Sequence, residues 1–182
     1  MRTFANIQRD LNLRPWVPSP SGDLYYVPLA PDAPDWLVRR FDRDLKPDLI
    51  PVYVDLHAAA QAWIDSDPQL SNLVRVEQPI EVGEDFIARA HVFGTHLSAI
   101  LGSDPDEGPL DPPDELAPMQ ARFRAREPCD EREELLKTIL TRSLLEPTSK
   151  TFYVPAEERF VVADLKLTPA ELERWRELSP RR

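Results

Sequence analysis

Proline constrains the fold of this chain more than any other residue, because twenty prolines stand against only five glycines in 182 residues. In average proteins glycine is the commoner of the two. Proline fixes φ and has no backbone N–H, so it is disfavoured in helix interiors and in the central strands of sheets. The sequence therefore predicts short helices and strands that are joined by stiff connections.

Prolines recur throughout residues 15–34, which read PWVPSPSGDLYYVPLAPDAP. This spacing leaves no room for a helix, so we predict an extended N-terminal arm. Within the arm, a turn is expected at residues 21–23 and an edge strand at residues 24–27.

Large aromatic side chains lie in this arm. Trp16 and Val17 follow Pro15 on a backbone that is already extended, which lowers the entropy cost of docking onto a partner. Tyr25 and Tyr26 add contact area. We therefore predict that Trp16, Val17, Tyr25 and Tyr26 contact a protein partner. The alternative is that the arm wraps its own domain and buries Trp16 there.

Outside the arm, apolar side chains recur every three to four residues in some segments and alternate in others, which predicts both helices and strands. Capping residues and prolines bound the helices, which are expected at residues 4–11, 35–46, 56–64, 85–101, 118–126, 130–144 and 168–178. The expected helix starts are Thr3, Asp35 and Asp55, and the expected capping boxes are Asp130 with Glu133 and Thr168 with Glu171. Trp63 and Ile64 are expected to fill the core, and Trp175 is on the apolar face of the last helix with Leu172 and Leu178. Strands are expected at residues 49–54, 73–77, 80–82, 151–154 and 159–165, the last two as a hairpin.

These elements indicate an α+β protein, with several short helices packed on one small mixed or antiparallel sheet. We predict four parts. Residues 1–34 hold the first helix and the proline-rich arm, and residues 35–102 form an α+β core. Residues 103–118 are a connector with six carboxylates, five prolines and no basic residue, which we expect to be exposed. Residues 119–182 form a helix–hairpin–helix part, separate or in one domain with the core.

The charge distribution argues against nucleic acid as a partner. The net charge is −10, and basic residues are not concentrated on any long stretch, whereas phosphate binding needs clustered Lys and Arg. Arg122, Arg124 and Arg126 form one short basic run, which we interpret as a solvated helix face or an ion-pairing stripe.

The sequence carries no motif that predicts a metal or cofactor site. His91 and His96 are five residues apart, so in a helix or in a strand they do not face one ion. His57 lies far from both in the sequence. Cys129 is the only cysteine; it precedes a predicted helix, which lowers a thiol pKa, but its acidic neighbours oppose thiolate formation. We predict neither a disulfide, nor a metal, nor a cofactor.

No apolar window is long enough to cross a bilayer, and residues 1–10 lack the apolar region of a secretion signal. With the single cysteine, this favours a cytoplasmic protein, or a virion protein if a phage encodes it.

We therefore favour a protein–protein interaction or assembly component, a class that includes structural, accessory and adaptor proteins of phages, which binds a partner protein or itself. The alternative is a small cytoplasmic enzyme with a non-contiguous site, in which His57 or His91 is the base and a carboxylate orients it.

Overall fold

The computed structural model describes residues 1–16, 24–29, 32, 34–41, 47–102, 110–146, 150–165 and 167–179. Within these ranges, seven α-helices and two sheets, of five and four strands, confirm the α+β class. The chain forms two compact units: unit 1 is Met1–Val54 with Gln78–His91, and unit 2 is Asp55–Glu77 with Val92–Arg182. The domain boundaries suggested by composition stay predictions.

The helices and strands are short, and they have the following bounds. The helices are α1 (Phe4–Leu11), α2 (Ile50–Asp65), α3 (Pro68–Ser71), α4 (Leu97–Ile100), α5 (Leu116–Ala125), α6 (Glu131–Leu145) and α7 (Pro169–Leu178). The strands are β1 (Leu13–Pro15), β2 (Leu24–Pro28), β3 (Trp36–Arg40), β4 (Val74–Val76), β5 (Glu81–Val82), β6 (Phe86–Ala90), β7 (Thr95–His96), β8 (Lys150–Val154) and β9 (Arg159–Asp164).

Unit 1 is built on an antiparallel sheet in the order β1-β2-β3-β6-β5. Helix α1 covers one face, where the buried cluster consists of Phe4, Ile7, Leu13, Val38, Phe86 and Ala88. Ile87, whose side chain points to the opposite face, packs with Phe41 and Ile50. The sheet is therefore covered on both sides near its centre, and β3 and β6 are buried strands.

Two of the predicted helices are strands of this sheet over part of their length, while residues 97–100 of the second form helix α4 as predicted. Residues 36–40 form β3 and residues 86–90 form β6, although the spacing of Leu37 with Phe41, and of Phe86 with Ala90, predicted helices. A spacing of four residues places side chains on one face of a strand as well as on one face of a helix. The pairing of β3 with β6 through Val38 and Ala88 selects the strand.

The opposite error occurs at residues 49–54, where a strand was predicted and α2 begins. Pro51 lies in the first turn of this helix, where its missing N–H costs no hydrogen bond. The buried residues Leu56, Ala60 and Ile64 then recur every four residues. Asp55, predicted as a helix start, lies inside α2.

The described part of the proline-rich segment belongs to the sheet. Strand β2 pairs with β1 on one side and with β3 on the other, so its predicted edge position is wrong. A separate extended arm is not confirmed. The turn predicted at residues 21–23 lies outside the described residues.

Unit 2 contains a four-stranded sheet in the order β4-β9-β8-β7, in which β4 and β9 are parallel. The predicted hairpin is confirmed as β8 and β9, and the predicted capping box of Thr168 and Glu171 is confirmed at α7. Because β9 also pairs with β4, a separate C-terminal helix–hairpin–helix part is not confirmed. Helix α5 begins at Leu116 and contains Pro118, so the last three residues of the predicted connector are helical, while its residues 103–109 lie outside the described residues.

No helix among the described residues combines the length and apolar character that crossing a bilayer requires.

Candidate functional site

The aromatic residues predicted to contact a partner differ in exposure. Trp16 is 46% exposed and its ring meets that of His91 edge-on, with centroids 4.8 Å apart. Tyr25 is only 4% exposed, and Tyr26 packs against Phe4 in the core under α1. Val17 lies outside the described residues. Among the three described members of this group, Trp16 is thus the most exposed, and partner binding by the group stays a prediction.

His57, one of the two bases of the enzyme hypothesis, is a buried structural residue. Its side chain is 2% exposed. Nδ1 lies 2.9 Å from the Glu77 carbonyl oxygen, which only accepts, and the Leu165 N–H donates to Nε2 at 3.4 Å. These two partners select the neutral tautomer with its proton on Nδ1. Asp164 Oδ1 lies 3.7 Å from Nε2. The imidazole holds α2 to the chain segments that follow β4 and β9.

The other two histidines lie in different units. His91, in unit 1, is half-buried, and burial lowers the pKa of its imidazole, with Asp35 opposing this effect. His96, in unit 2, accepts a hydrogen bond from Ser98 N–H at 3.2 Å and caps α4. The residues that the structure describes contain no group of three or more His, Cys, Asp or Glu side chains placed to hold a metal ion.

Unit 2 has an open cleft of about 280 Å³ between α2, the N-terminal end of α6 and α7. We call it the tryptophan cleft, because Trp63 and Trp175 form two of its walls. Its lining is Ala59, Ala62, Trp63, Ser66, Asp130, Arg132, Glu133, Leu136 and Trp175. Ala59 and Ala62 are small residues on α2, and this is why the helices leave a recess here.

Asp55 connects the three helices that build the cleft. Its Oδ2 accepts hydrogen bonds from Arg132 at 2.8 Å, from Trp175 Nε1 at 3.0 Å and from Ser179 Oγ at 3.0 Å. One carboxylate on α2 is thereby joined to α6, to α7 and to the residue after α7. These contacts fix the Trp175 wall.

The Glu133 carboxylate fixes Trp63, which forms the second wall. Its Oε2 accepts from Trp63 Nε1 at 3.2 Å and from the Cys129 backbone N–H at 3.0 Å. Asp130 is the predicted N-cap of α6, and its Oδ1 accepts from the Glu133 N–H at 2.8 Å. The predicted capping box is thus half formed, because the Glu133 carboxylate turns to Trp63 and Cys129.

An arginine stacks on each tryptophan ring. The Arg126 Cζ lies 3.9 Å from the centroid of Trp63, and the Arg132 Cζ lies 4.6 Å from that of Trp175. Arg126 also donates to Ser66 Oγ. The walls are therefore held by hydrogen bonds at the indole N–H and by cation–π contacts on the rings, which makes the cleft rigid.

Two titratable groups at the cleft, the Glu133 carboxyl and the Cys129 thiol, have pKa values shifted by their contact with each other. Burial raises the pKa of the Glu133 carboxyl, but the hydrogen bonds from Cys129 and Trp63 outweigh it and leave the pKa below its ordinary value. Glu133 is therefore ionised at neutral pH and is no proton donor. The hydrogen bond to Glu133, with burial and the charges of Glu133 and Asp130, raises the pKa of the Cys129 thiol. A protonated thiol is a poor nucleophile.

This arrangement predicts that Glu133→Gln accelerates alkylation of Cys129. Removal of the carboxylate charge lowers the thiol pKa towards its ordinary value, so the thiolate fraction at pH 8 increases. The measurement is the iodoacetamide rate from pH 7 to 10, with the single cysteine as the only reporter. Glu134→Gln, on the same helical turn but outside the cleft lining, is the control and should leave the rate unchanged. An unchanged rate in Glu133→Gln would contradict the assignment.

The sequence analysis predicted Trp63 and Trp175 as core residues and did not predict the cleft. The signal available in the sequence was the Asp130 and Glu133 pair, which marks the start of α6. A scan against protein-family models finds no match, and a search of curated proteins finds no sequence of significant similarity.

Proposed function

We propose that this protein is an interaction or assembly component that binds a segment of a protein partner in the tryptophan cleft of unit 2. The observation that carries this proposal is an open, preformed recess of about 280 Å³ whose walls are two rigidly held tryptophans. Trp63 and Trp175 are themselves only 4% and 1% exposed, so they shape the recess, while Ala62, Ser66 and Asp130 supply its exposed surface. A preformed site also avoids the entropy cost of ordering its side chains when a partner binds.

The size of the recess supports a side chain as its occupant. Pockets for drug-sized ligands usually enclose about 300–1,000 Å³, so the cleft lies just below that range. An anchor residue of a partner protein fits such a volume, and the contacts around it would involve the exposed residues at the rim, Asp130 and Ala62.

The enzyme alternative has less support from the same residues. His57 is buried with both ring nitrogens engaged, and the cleft lining contains no histidine. Glu133 and Cys129 are in the ionisation states that suit neither a general acid nor a nucleophile. Each charged lining residue makes a contact that stabilises the fold.

Site-specific photo-crosslinking tests the proposal in cells of the source organism. A photo-reactive amino acid with a short aliphatic diazirine side chain at Ala62, an exposed residue of the cleft lining, is expected to give one discrete protein adduct, because this side chain is much smaller than an indole and leaves room for an anchor residue. The same probe at Ala58, exposed on α2 but outside the lining, is the matched control and should not give this adduct. The absence of any adduct at position 62, or identical adducts at both positions, would count against the cleft as the binding site.

A further inference from the structure

The charged groups of the tryptophan cleft differ in how far they are neutralised. Arg132 is paired with Asp55, at 2.8 Å, and its guanidinium lies on the Trp175 ring. Its Nε is buried and has no hydrogen-bond partner among the described residues. The positive charge in the lining is therefore compensated from within the fold.

The two carboxylates of the lining retain accepting capacity. Asp130 uses Oδ1 for the cap of α6, and within the described part of the chain its Oδ2 accepts no hydrogen bond. Glu133 takes its hydrogen bonds from the Trp63 and Cys129 N–H groups on Oε2, and the Cys129 thiol, a weak donor, also interacts with this carboxylate. Both carboxylates belong to residues that line the recess.

The nearby cations do not cancel this charge. Arg174 is paired with Glu131 and Glu177. Arg126 contributes one positive charge at Trp63, so the lining with the direct contacts Asp55 and Arg126 has a net charge of −1. The whole chain carries −10, which favours the approach of a basic partner.

We infer that the tryptophan cleft takes a cationic side chain, arginine or lysine, from a basic segment of the protein partner, an inference that rests on the proposed function. The charged head meets Asp130 and Glu133, and the aliphatic stem lies along Ala59, Ala62 and Leu136.

The inference is tested with pentapeptides that place one side chain between glycines. The central residue is arginine, lysine, citrulline, norleucine or glutamate; citrulline and norleucine are the uncharged counterparts of arginine and lysine. Binding to the full chain is followed by NMR on the indole N–H signals. Trp63 and Trp175 report the cleft, Trp36 is the reference, and Trp16 detects non-specific contact with an exposed indole.

We expect saturable shifts of the Trp63 and Trp175 signals with the arginine or lysine peptide. Citrulline and norleucine should bind about tenfold more weakly, as should the cationic peptides with Glu133→Gln or Asp130→Asn, because each change removes a charge-assisted hydrogen bond. Glutamine still accepts from Trp63 and Cys129, and asparagine is a good N-cap, so both variants keep the walls. Glu134→Gln is the control and should bind as the native chain does.

Two outcomes overturn the inference. Equal binding of the uncharged peptides, with no effect of Glu133→Gln, would leave the cleft as a binding site for an uncharged side chain. The absence of Trp63 and Trp175 shifts with every peptide would exclude a cationic anchor, and the crosslinking at Ala62 would then decide separately whether the cleft binds a partner.

Discussion

Trp175→Ala is expected to lower the free energy of unfolding by about 3–5 kcal/mol, the usual cost of truncating a buried tryptophan. The indole is 1% exposed, so truncation removes a large apolar surface and leaves a void between α2, α6 and α7. It also removes the Nε1–H that donates to Asp55 and the ring under Arg132. The measurement is urea unfolding of the full chain followed by circular dichroism.

Two variants separate the causes of this loss. Trp175→Phe keeps an aromatic ring but removes the N–H donor, and Asp55 keeps Arg132 and Ser179 as partners, so we expect a loss of about 1–2 kcal/mol. Trp16→Ala truncates an exposed tryptophan and should change stability by no more than about 0.5 kcal/mol. If Trp175→Ala were as mild as Trp16→Ala, Trp175 would not be the fixed wall described above.

Three helix starts were predicted correctly from local sequence signals, whereas Asp55, also predicted as a start, lies inside α2. Thr3, Asp130 and Thr168 each precede a helix and each cap it. A cap depends on one side chain and a backbone N–H two or three residues away, so the sequence contains all the information. The hairpin of β8 and β9 is equally local.

The buried strands β3 and β6 were predicted as helices because apolar residues four positions apart satisfy both periodicities. What decides between them is the partner strand, and β3 and β6 are almost fifty residues apart in sequence. The opposite error occurred at residues 49–54, which were predicted as a strand. Pro51 is compatible with the helix that forms there, because a proline is accepted in the first turn of a helix.

The tryptophan cleft could not be predicted from the sequence, because it too depends on contacts between residues that are distant in the sequence. Asp55 and Trp175 form a hydrogen bond across 120 residues, and Trp63 and Glu133 across 70. Each of these residues alone is typical of a helix face or a helix end. Only the packing of α2, α6 and α7 shows that their side chains surround one recess.

Ala62→Trp tests the central claim, that the cleft binds a partner, most directly. Ala62 is exposed and lines the recess, so an indole at this position occupies the volume that an anchor residue needs. With the partner identified through position 62, we expect the dissociation constant to rise at least about 100-fold, which corresponds to ~2.7 kcal/mol.

Ala58→Trp places the same side chain on an exposed position of α2 outside the lining, and it should change the affinity less than about twofold. Calorimetric titration of the three proteins, with melting curves that confirm an intact fold, gives the comparison. A large loss for Ala62→Trp alone is the predicted result. Native affinity in a folded Ala62→Trp variant would contradict the proposal that the tryptophan cleft is the binding site.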